Sequence, residues 1–199
     1  MRNWLNSAEY RLAAHTPNQL PPDGGFEVVF AGRSNAGKST ALNALCGRNA
    51  LARVSKTPGR TQQLVFFEVA PERYLVDLPG YGYAKVPHDL QAHWQSFIDG
   101  YFRQREALRG LVVVMDIRHP LRDYDRQILG YALQRGLPSH ILLTKADKLG
   151  RGAAGNVLQA VRRDVLDTLG DSVGLQLFSG ESKIGVDEGR GVVAGWLGL

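Results

Sequence analysis

The chain has 199 residues, 44% of them hydrophobic, which is enough for one domain with a substantial core and leaves little for a second. Lysine and arginine number 24 against 19 aspartate and glutamate, and the net charge of +5 suits an anionic partner without naming it. The single cysteine, Cys46, excludes an internal disulfide, and no apolar run reaches the roughly 18 to 20 residues of a membrane-spanning helix, so a soluble, cytoplasmic protein with no membrane partner is expected.

Residues 1–25 read as an arm that packs on the domain formed by residues 26–199. Trp4, Leu5, Ala8 and Leu12 fall on one side of a short helix, after which Pro17, Pro21, Pro22, Gly24 and Gly25 break regular structure. From Phe26 onward apolar strand runs alternate with helical stretches. Strands are expected at Val28–Phe30, Gln63–Val69, Tyr74–Val76, Leu111–Met115, Ile141–Leu143 and Leu175–Phe178. Helices are expected at Ser39–Leu45, His88–Arg105, Tyr124–Gln134, Ala154–Leu169 and Glu188–Leu197. The short link Ala70-Pro71-Glu72-Arg73 makes the second and third strands an antiparallel hairpin. The expected fold class is therefore α/β, with three layers and a mostly parallel sheet containing one antiparallel strand.

Between the first of these strands and its helix lies Gly32-Arg33-Ser34-Asn35-Ala36-Gly37-Lys38-Ser39, which fits the G-x-x-x-x-G-K-[ST] phosphate loop in its required context. Glycines let the backbone fold around phosphate oxygens, and successive N–H groups with the helix N-terminus present positive charge to the anion. Lys38 adds a mobile cation, and the Ser39 hydroxyl is a ligand for Mg²⁺. Asp77-Leu78-Pro79-Gly80 follows a strand directly and places a carboxylate at the sheet's carboxyl edge. Asp77 is suited to hold Mg²⁺ through water, and the Gly80 N–H to touch a γ-phosphate.

Thr144-Lys145-Ala146-Asp147, after the strand run HILL, has the N/T-K-x-D pattern of a guanine reader. The Asp147 carboxylate can accept both N1–H and the exocyclic amine of guanine, whereas adenine has neither donor on that edge. Lys145 can lay its stem along the base. Thr144 stands where Asn is commoner, so a contact tying this segment to the phosphate loop is expected to be lost. Phe178-Ser179-Gly180 after the last strand would complete the site with backbone N–H groups near the guanine carbonyl. Cys46, ending the first helix, reads as a small buried hydrophobe.

Taken in order, GRSNAGKST, SKTPGRTQ, VDLPGYGYAKVP, MDIRHPL, LLTKADKL and FSGESKIGVDE resemble the EngB/YsxC group of bacterial GTPases, related to the Era and TrmE branch, from Phe26 essentially to the C-terminus. The resemblance implies the P-loop NTPase GTPase fold and a small cytoplasmic enzyme that hydrolyses GTP to GDP; a monomer is expected. It also implies action on the large ribosomal subunit, through ribosomal RNA and proteins, and a link to cell division and septation. A GTP-dependent interaction module of the division machinery, with little need for hydrolysis, is the alternative. By the same resemblance Gly59, Arg60, Thr61, Gln62 and Gln63 form the first switch segment, with Thr61 the second protein ligand of Mg²⁺; spacing alone fits a Pro-Gly turn equally well. Tyr81 follows Gly80 where many GTPases carry a water-orienting Gln, so intrinsic turnover is expected to be slow. Another element, a partner or a bound monovalent cation is then expected to finish the site; the resemblance to the Era and TrmE branch, where an Asn at this loop position can hold K⁺, implies Asn35 as a candidate ligand, and Lys38, Thr61, Gly80 and Asn35 are the expected catalytic set.

Overall fold

The computed structural model describes residues 3–52, 63–80, 88–170 and 172–199. Arg53, Lys56, Gly59, Arg60, Thr61, Gln62 and Tyr81 fall outside the described residues. In chain order the elements are β1 (Glu9–Ala14), β2 (Phe26–Gly32), α1 (Lys38–Cys46), β3 (Leu64–Ala70), β4 (Arg73–Asp77), α2 (His88–Gln104), β5 (Leu108–Asp116), α3 (Asp123–Arg135), β6 (Ser139–Thr144), α4 (Arg151–Leu169), β7 (Val173–Leu177) and α5 (Val186–Trp196). The strands form one sheet in the order β1-β3-β4-β2-β5-β6-β7. Among the described residues only β3 runs against the rest, pairing antiparallel with both β1 and β4, while β2, β4, β5, β6 and β7 are joined by parallel ladders.

Parallel strands buried on both faces alternate their apolar side chains between two cores. On β2, Val28 and Phe30 join one cluster with Leu42, Leu45 and Val193, so α1 and α5 cover that face. Val29 and Ala31 join the other with Phe97, Tyr101, Ile128 and Val161, so α2, α3 and α4 cover the opposite face. The result is the three-layer arrangement expected from the alternating pattern.

The N-terminal segment departs from the expected helix. Trp4–Ser7 is a single 3₁₀ turn, with Asn3 Oδ1 accepting from the Leu5 N–H at 3.1 Å, and Glu9–Ala14 adds to the sheet beside β3. Ser7 Oγ donates to the Val69 carbonyl at 2.6 Å, tying the turn to β3. Leu5 and Ala8 are fully buried, but against α1 and β3 as turn residues rather than as one helical stripe. Pairing with a distant strand satisfies more backbone groups than an isolated helical turn could, so tertiary pairing overrides the local pattern.

Glu27 on β2 is fully buried, and it is satisfied by the Tyr101 hydroxyl at 2.7 Å and by Arg105 Nε at 3.0 Å. Arg105 also donates to the Pro21 carbonyl at 2.8 Å, so it belongs to the interior and not to a basic surface. Arg126 makes a two-bond fork to Asp164. The Cys46 thiol is buried and pushed up to about 12 by loss of solvation, which fits a packing residue and not a nucleophile.

Candidate functional site

The carboxyl ends of β2, β4 and β6 gather the phosphate loop, Asp77–Gly80 and Thr144–Asp147 at one edge of the sheet, where the connections from β2 and β5 leave towards opposite faces. Gly32 closes β2 in a space that admits no side chain, since a Cβ there would stand 2.7 Å from the Val114 carbonyl oxygen. The loop then turns through Asn35 in the left-handed region at φ 61° and Gly37 at φ 94°, and Gly37 caps α1. Lys38 and Ser39 open the helix, where the dipole and the direction of the first-turn N–H groups favour an anion.

Asp77 ends β4 beside this loop and forms an ion pair with Lys38, both side chains being largely buried. Burial raises the Asp77 carboxyl above its ordinary range, and Lys38 works against that shift. The Leu78 N–H continues the ladder by donating to the Phe30 carbonyl at 2.9 Å, and Gly80 lies so close to the loop that a Cβ would come within 3.2 Å of Ser34 Cα. Gln63 stands just before β3, near His15 of the N-terminal segment, at 3.1 Å between Nε2 and Nδ1.

The segment after β6 fastens onto the phosphate loop at two successive carbonyls. Lys145, itself left-handed at φ 59°, donates from Nζ to the Asn35 carbonyl at 2.7 Å, and the Thr144 hydroxyl reaches the Ala36 carbonyl. The contact expected to be lost with Asn at Thr144 is therefore made in another way. One hydroxyl carries one proton, and the Met115 carbonyl at 3.0 Å competes for it, so Thr144 serves one carbonyl at a time.

Asp147 sits one turn further on. Ser179 Oγ donates to its Oδ1 at 2.6 Å and Lys148 Nζ lies 3.0 Å from its Oδ2, and these two bonds hold the carboxyl below its ordinary range. Ala146 N–H donates to the Phe178 carbonyl at 3.1 Å, joining the segments after β6 and β7. The Ser179 N–H is committed to the Ile184 carbonyl at 2.9 Å, so of the expected Phe178-Ser179-Gly180 amides that one is used within its own turn. Gly180 packs on α1, where a Cβ would meet Thr40 Cγ2 at 2.7 Å. Around these groups lies a cavity of about 330 Å³, lined by Gly37, Thr144, Lys145, Asp147, Ser179 and Arg118 among others. A cavity with one oriented carboxylate and a lysine stem, opening beside a phosphate loop, can hold a base with two donors on one edge.

One carboxylate of this edge was not singled out from the sequence. Asp116 ends β5 as Asp77 ends β4, and it accepts a fork from Arg118 (Nε 2.9 Å, Nη2 2.6 Å) and a bond from Lys145 at 2.9 Å. The Arg118 bonds, with Lys145 behind them, hold Asp116 well below the usual carboxylate range. The available signal was a carboxylate at the end of a buried parallel strand, which had already identified Asp77. His119 occupies the turn after Asp116, its N–H donating to the Asp116 carbonyl at 2.9 Å.

The chain matches the family described as "50S ribosome-binding GTPase" over residues 27–145. It is 73% identical over 195 residues to "Probable GTP-binding protein EngB" of Xanthomonas axonopodis pv. citri (strain 306), covering 98% of this chain and 91% of that protein. The chain belongs to the EngB family of GTP-binding proteins. Its EngB relative in Stenotrophomonas maltophilia (strain K279a) is 72% identical over 195 residues and is covered to 98% of both chains. Among solved structures, the crystal structure of a probable GTP-binding protein engB superposes with a TM-score of 0.66 at 19% identity, over 86% of this chain and 98% of that one. Era in complex with MgGDPNP and nucleotides 1506–1542 of 16S ribosomal RNA gives 0.62 at 20% identity, over 86% and 56%. At such identities the two superpositions establish the GTPase fold alone. As an EngB-family protein the chain is a P-loop GTPase that binds a guanine nucleotide. No helix among the described residues is long and apolar enough to cross a membrane.

Proposed function

We propose that this EngB-family protein hydrolyses GTP to GDP and phosphate, slowly by itself, and uses its GTP-bound state as a cytoplasmic, monomeric switch in assembly of the large ribosomal subunit. Normal cell division and septation then depend on that assembly. The observation that carries the nucleotide part is the pair of bonds from Thr144 and Lys145 to the carbonyls of Ala36 and Asn35. A ligand held by Asp147 at one end and by the phosphate loop at the other meets a single framework, so base recognition positions the phosphates. The ribosomal part is supported by the family description and by the basic excess of the chain.

In this reading Lys38 leaves Asp77 for the terminal phosphates when GTP binds, and the loop N–H groups with the α1 N-terminus take up the remaining charge. Asp77 already faces a cation in the form of Lys38, and with the Ser39 hydroxyl it offers the hard oxygen donors that Mg²⁺ prefers. Ser39 and Asp77 would hold Mg²⁺, with Thr61 completing the protein set; bound there, the ion would neutralise charge on the phosphate oxygens. Gly80 and Thr61 would register the γ-phosphate and its loss. Asn35, exposed at the apex of the loop, would take K⁺ in place of the cationic finger that other GTPases use.

Co-sedimentation tests the proposal directly. Protein loaded with a non-hydrolysable GTP analogue should travel with large subunits and not small ones, GDP should release it, and binding should fall steeply as salt rises. Equal sedimentation with both subunits, or no dependence on nucleotide, would remove the ribosomal reading and leave the division-machinery module in its place.

A further inference from the structure

Arg118 lies outside the motifs usually read as nucleotide contacts, yet it borders the same cavity as Lys145 and Asp147. Its side chain is 47% exposed, so an ordinary surface arginine would sample many rotamers. Here the side chain is fixed. Nε and Nη2 fork onto Asp116, and the Arg118 backbone N–H donates to Asp116 Oδ1 at 3.0 Å, so one carboxylate holds both ends of the residue. The same carboxylate takes Lys145 Nζ, whose stem lines the cavity. On its other side Arg118 borders a second cavity, of about 230 Å³, together with Asn35, Asp116 and His119. The guanidinium is thus a flat, rigid partition, charged on its exposed face and standing at the rim of the cavity that holds Asp147.

The geometry points to Arg118 as a further nucleotide-contacting residue, a planar wall that stacks on the guanine ring, with Asp116 as the positioning residue that holds it flat. A guanidinium plane attracts the face of an aromatic ring, and such stacking is strongest where the cation is pre-ordered and partly desolvated. The inference rests on the reading of the cavity beside Asp147 as the guanine site. It deepens that reading by assigning base affinity to a residue outside the T-K-x-D segment. Because the contact is with the base, it is blind to the number of phosphates.

The test is equilibrium binding of fluorescent GDP and of a fluorescent GTP analogue to the full chain carrying Arg118→Ala, Arg118→Lys or Arg118→Tyr. Arg118→Ala should weaken both nucleotides by about tenfold and by the same factor, as expected for loss of one stacked plane. Arg118→Lys keeps the charge but not the plane and should lose as much, whereas Arg118→Tyr restores a plane and should recover most of the affinity. Asp116→Asn should cost less than Arg118→Ala, since the plane is loosened but present. An Arg118→Ala affinity within twofold of the parent would overturn the inference. So would a loss that is larger for the GTP analogue and vanishes at high salt, since that marks attraction to phosphate. Asp147→Asn separates the two layers of the argument. If it fails to change base preference, the cavity reading falls and the inference with it; if it does change preference while Arg118→Ala binds normally, the inference alone falls.

Discussion

Ser179 donates its hydroxyl proton to Asp147 Oδ1 at 2.6 Å while its own oxygen accepts from the Ser182 N–H at 3.1 Å. The hydroxyl is therefore a relay with a fixed direction: the turn after β7 orients Ser179, and Ser179 orients the carboxylate. Ser179→Ala should weaken GTP and GDP about tenfold, the cost of one hydrogen bond to a charged group. The pH dependence follows. Asp147 is held below its ordinary range mainly by this bond, so guanine binding is fully present above the ordinary range and is lost as pH falls through the lowered value. In Ser179→Ala the loss should begin at a higher pH, which nucleotide titrations between pH 3 and 7 would reveal if the protein stays folded.

Asp147→Asn replaces an acceptor by an amide that can donate. Affinity for GTP should drop and affinity for xanthosine triphosphate should rise, because xanthine presents a carbonyl where guanine presents its amine. Competition binding against both nucleotides and ATP checks the exchange.

Lys38→Met removes the cation from a largely buried carboxylate. In the nucleotide-free protein this should cost about 3 kcal/mol, the penalty of leaving one partner of a buried pair alone. Asp77 is already raised by burial with Lys38 opposing, so without Lys38 it should rise further. A carboxyl raised in the folded state takes up protons on folding, so the deficit should be small at low pH and grow as pH rises through the folded value. Denaturant melts of the variant and parent across pH 5 to 8 would show it. The double variant Lys38→Met with Asp77→Asn should recover most of the stability.

Exchanging Na⁺ for K⁺ at constant ionic strength should raise GTP turnover, and Asn35→Ala should abolish that rise while nucleotide affinity stays within a few fold. Equal rates in the two salts, with and without ribosomal subunits, would dismiss Asn35 as a cation ligand.

The motifs at the sheet's carboxyl edge were legible because each couples a local pattern to a forced geometry: a phosphate loop needs a strand before it and a helix after it, and β2 and α1 supply them. The hairpin of β3 and β4 was legible for the same reason, its link being too short for any other connection. What could not be read was made by distant partners. Glu9–Ala14 carries charged and small residues without alternation, and its exposed outer positions give no period-two signal, so only the β3 ladder makes it a strand. The Arg105–Glu27 pair unites residues 78 apart in sequence, and nothing local marks either as buried. Thr144 shows a subtler limit. Its substitution for Asn suggested a missing bond because donor counts were legible, but the approach of the Ala36 carbonyl was not.

The C-terminal end of α2 is bolted down from two sides. Arg105 grips Glu27, and Arg135 at the end of α3 donates to the carbonyls of Phe102, at 2.8 Å, and Arg105. Gln95 adds a bond to Tyr131 of α3 at 3.2 Å, and Phe97 and Ile98 enter the core between these grips. From Gln95 to Arg105 the helix is therefore stitched to its neighbour and to the central strand, and it cannot slide along the sheet without stripping the guanidinium from a buried carboxylate. That stretch of α2 is a fixed backstop behind the strand that carries the phosphate loop.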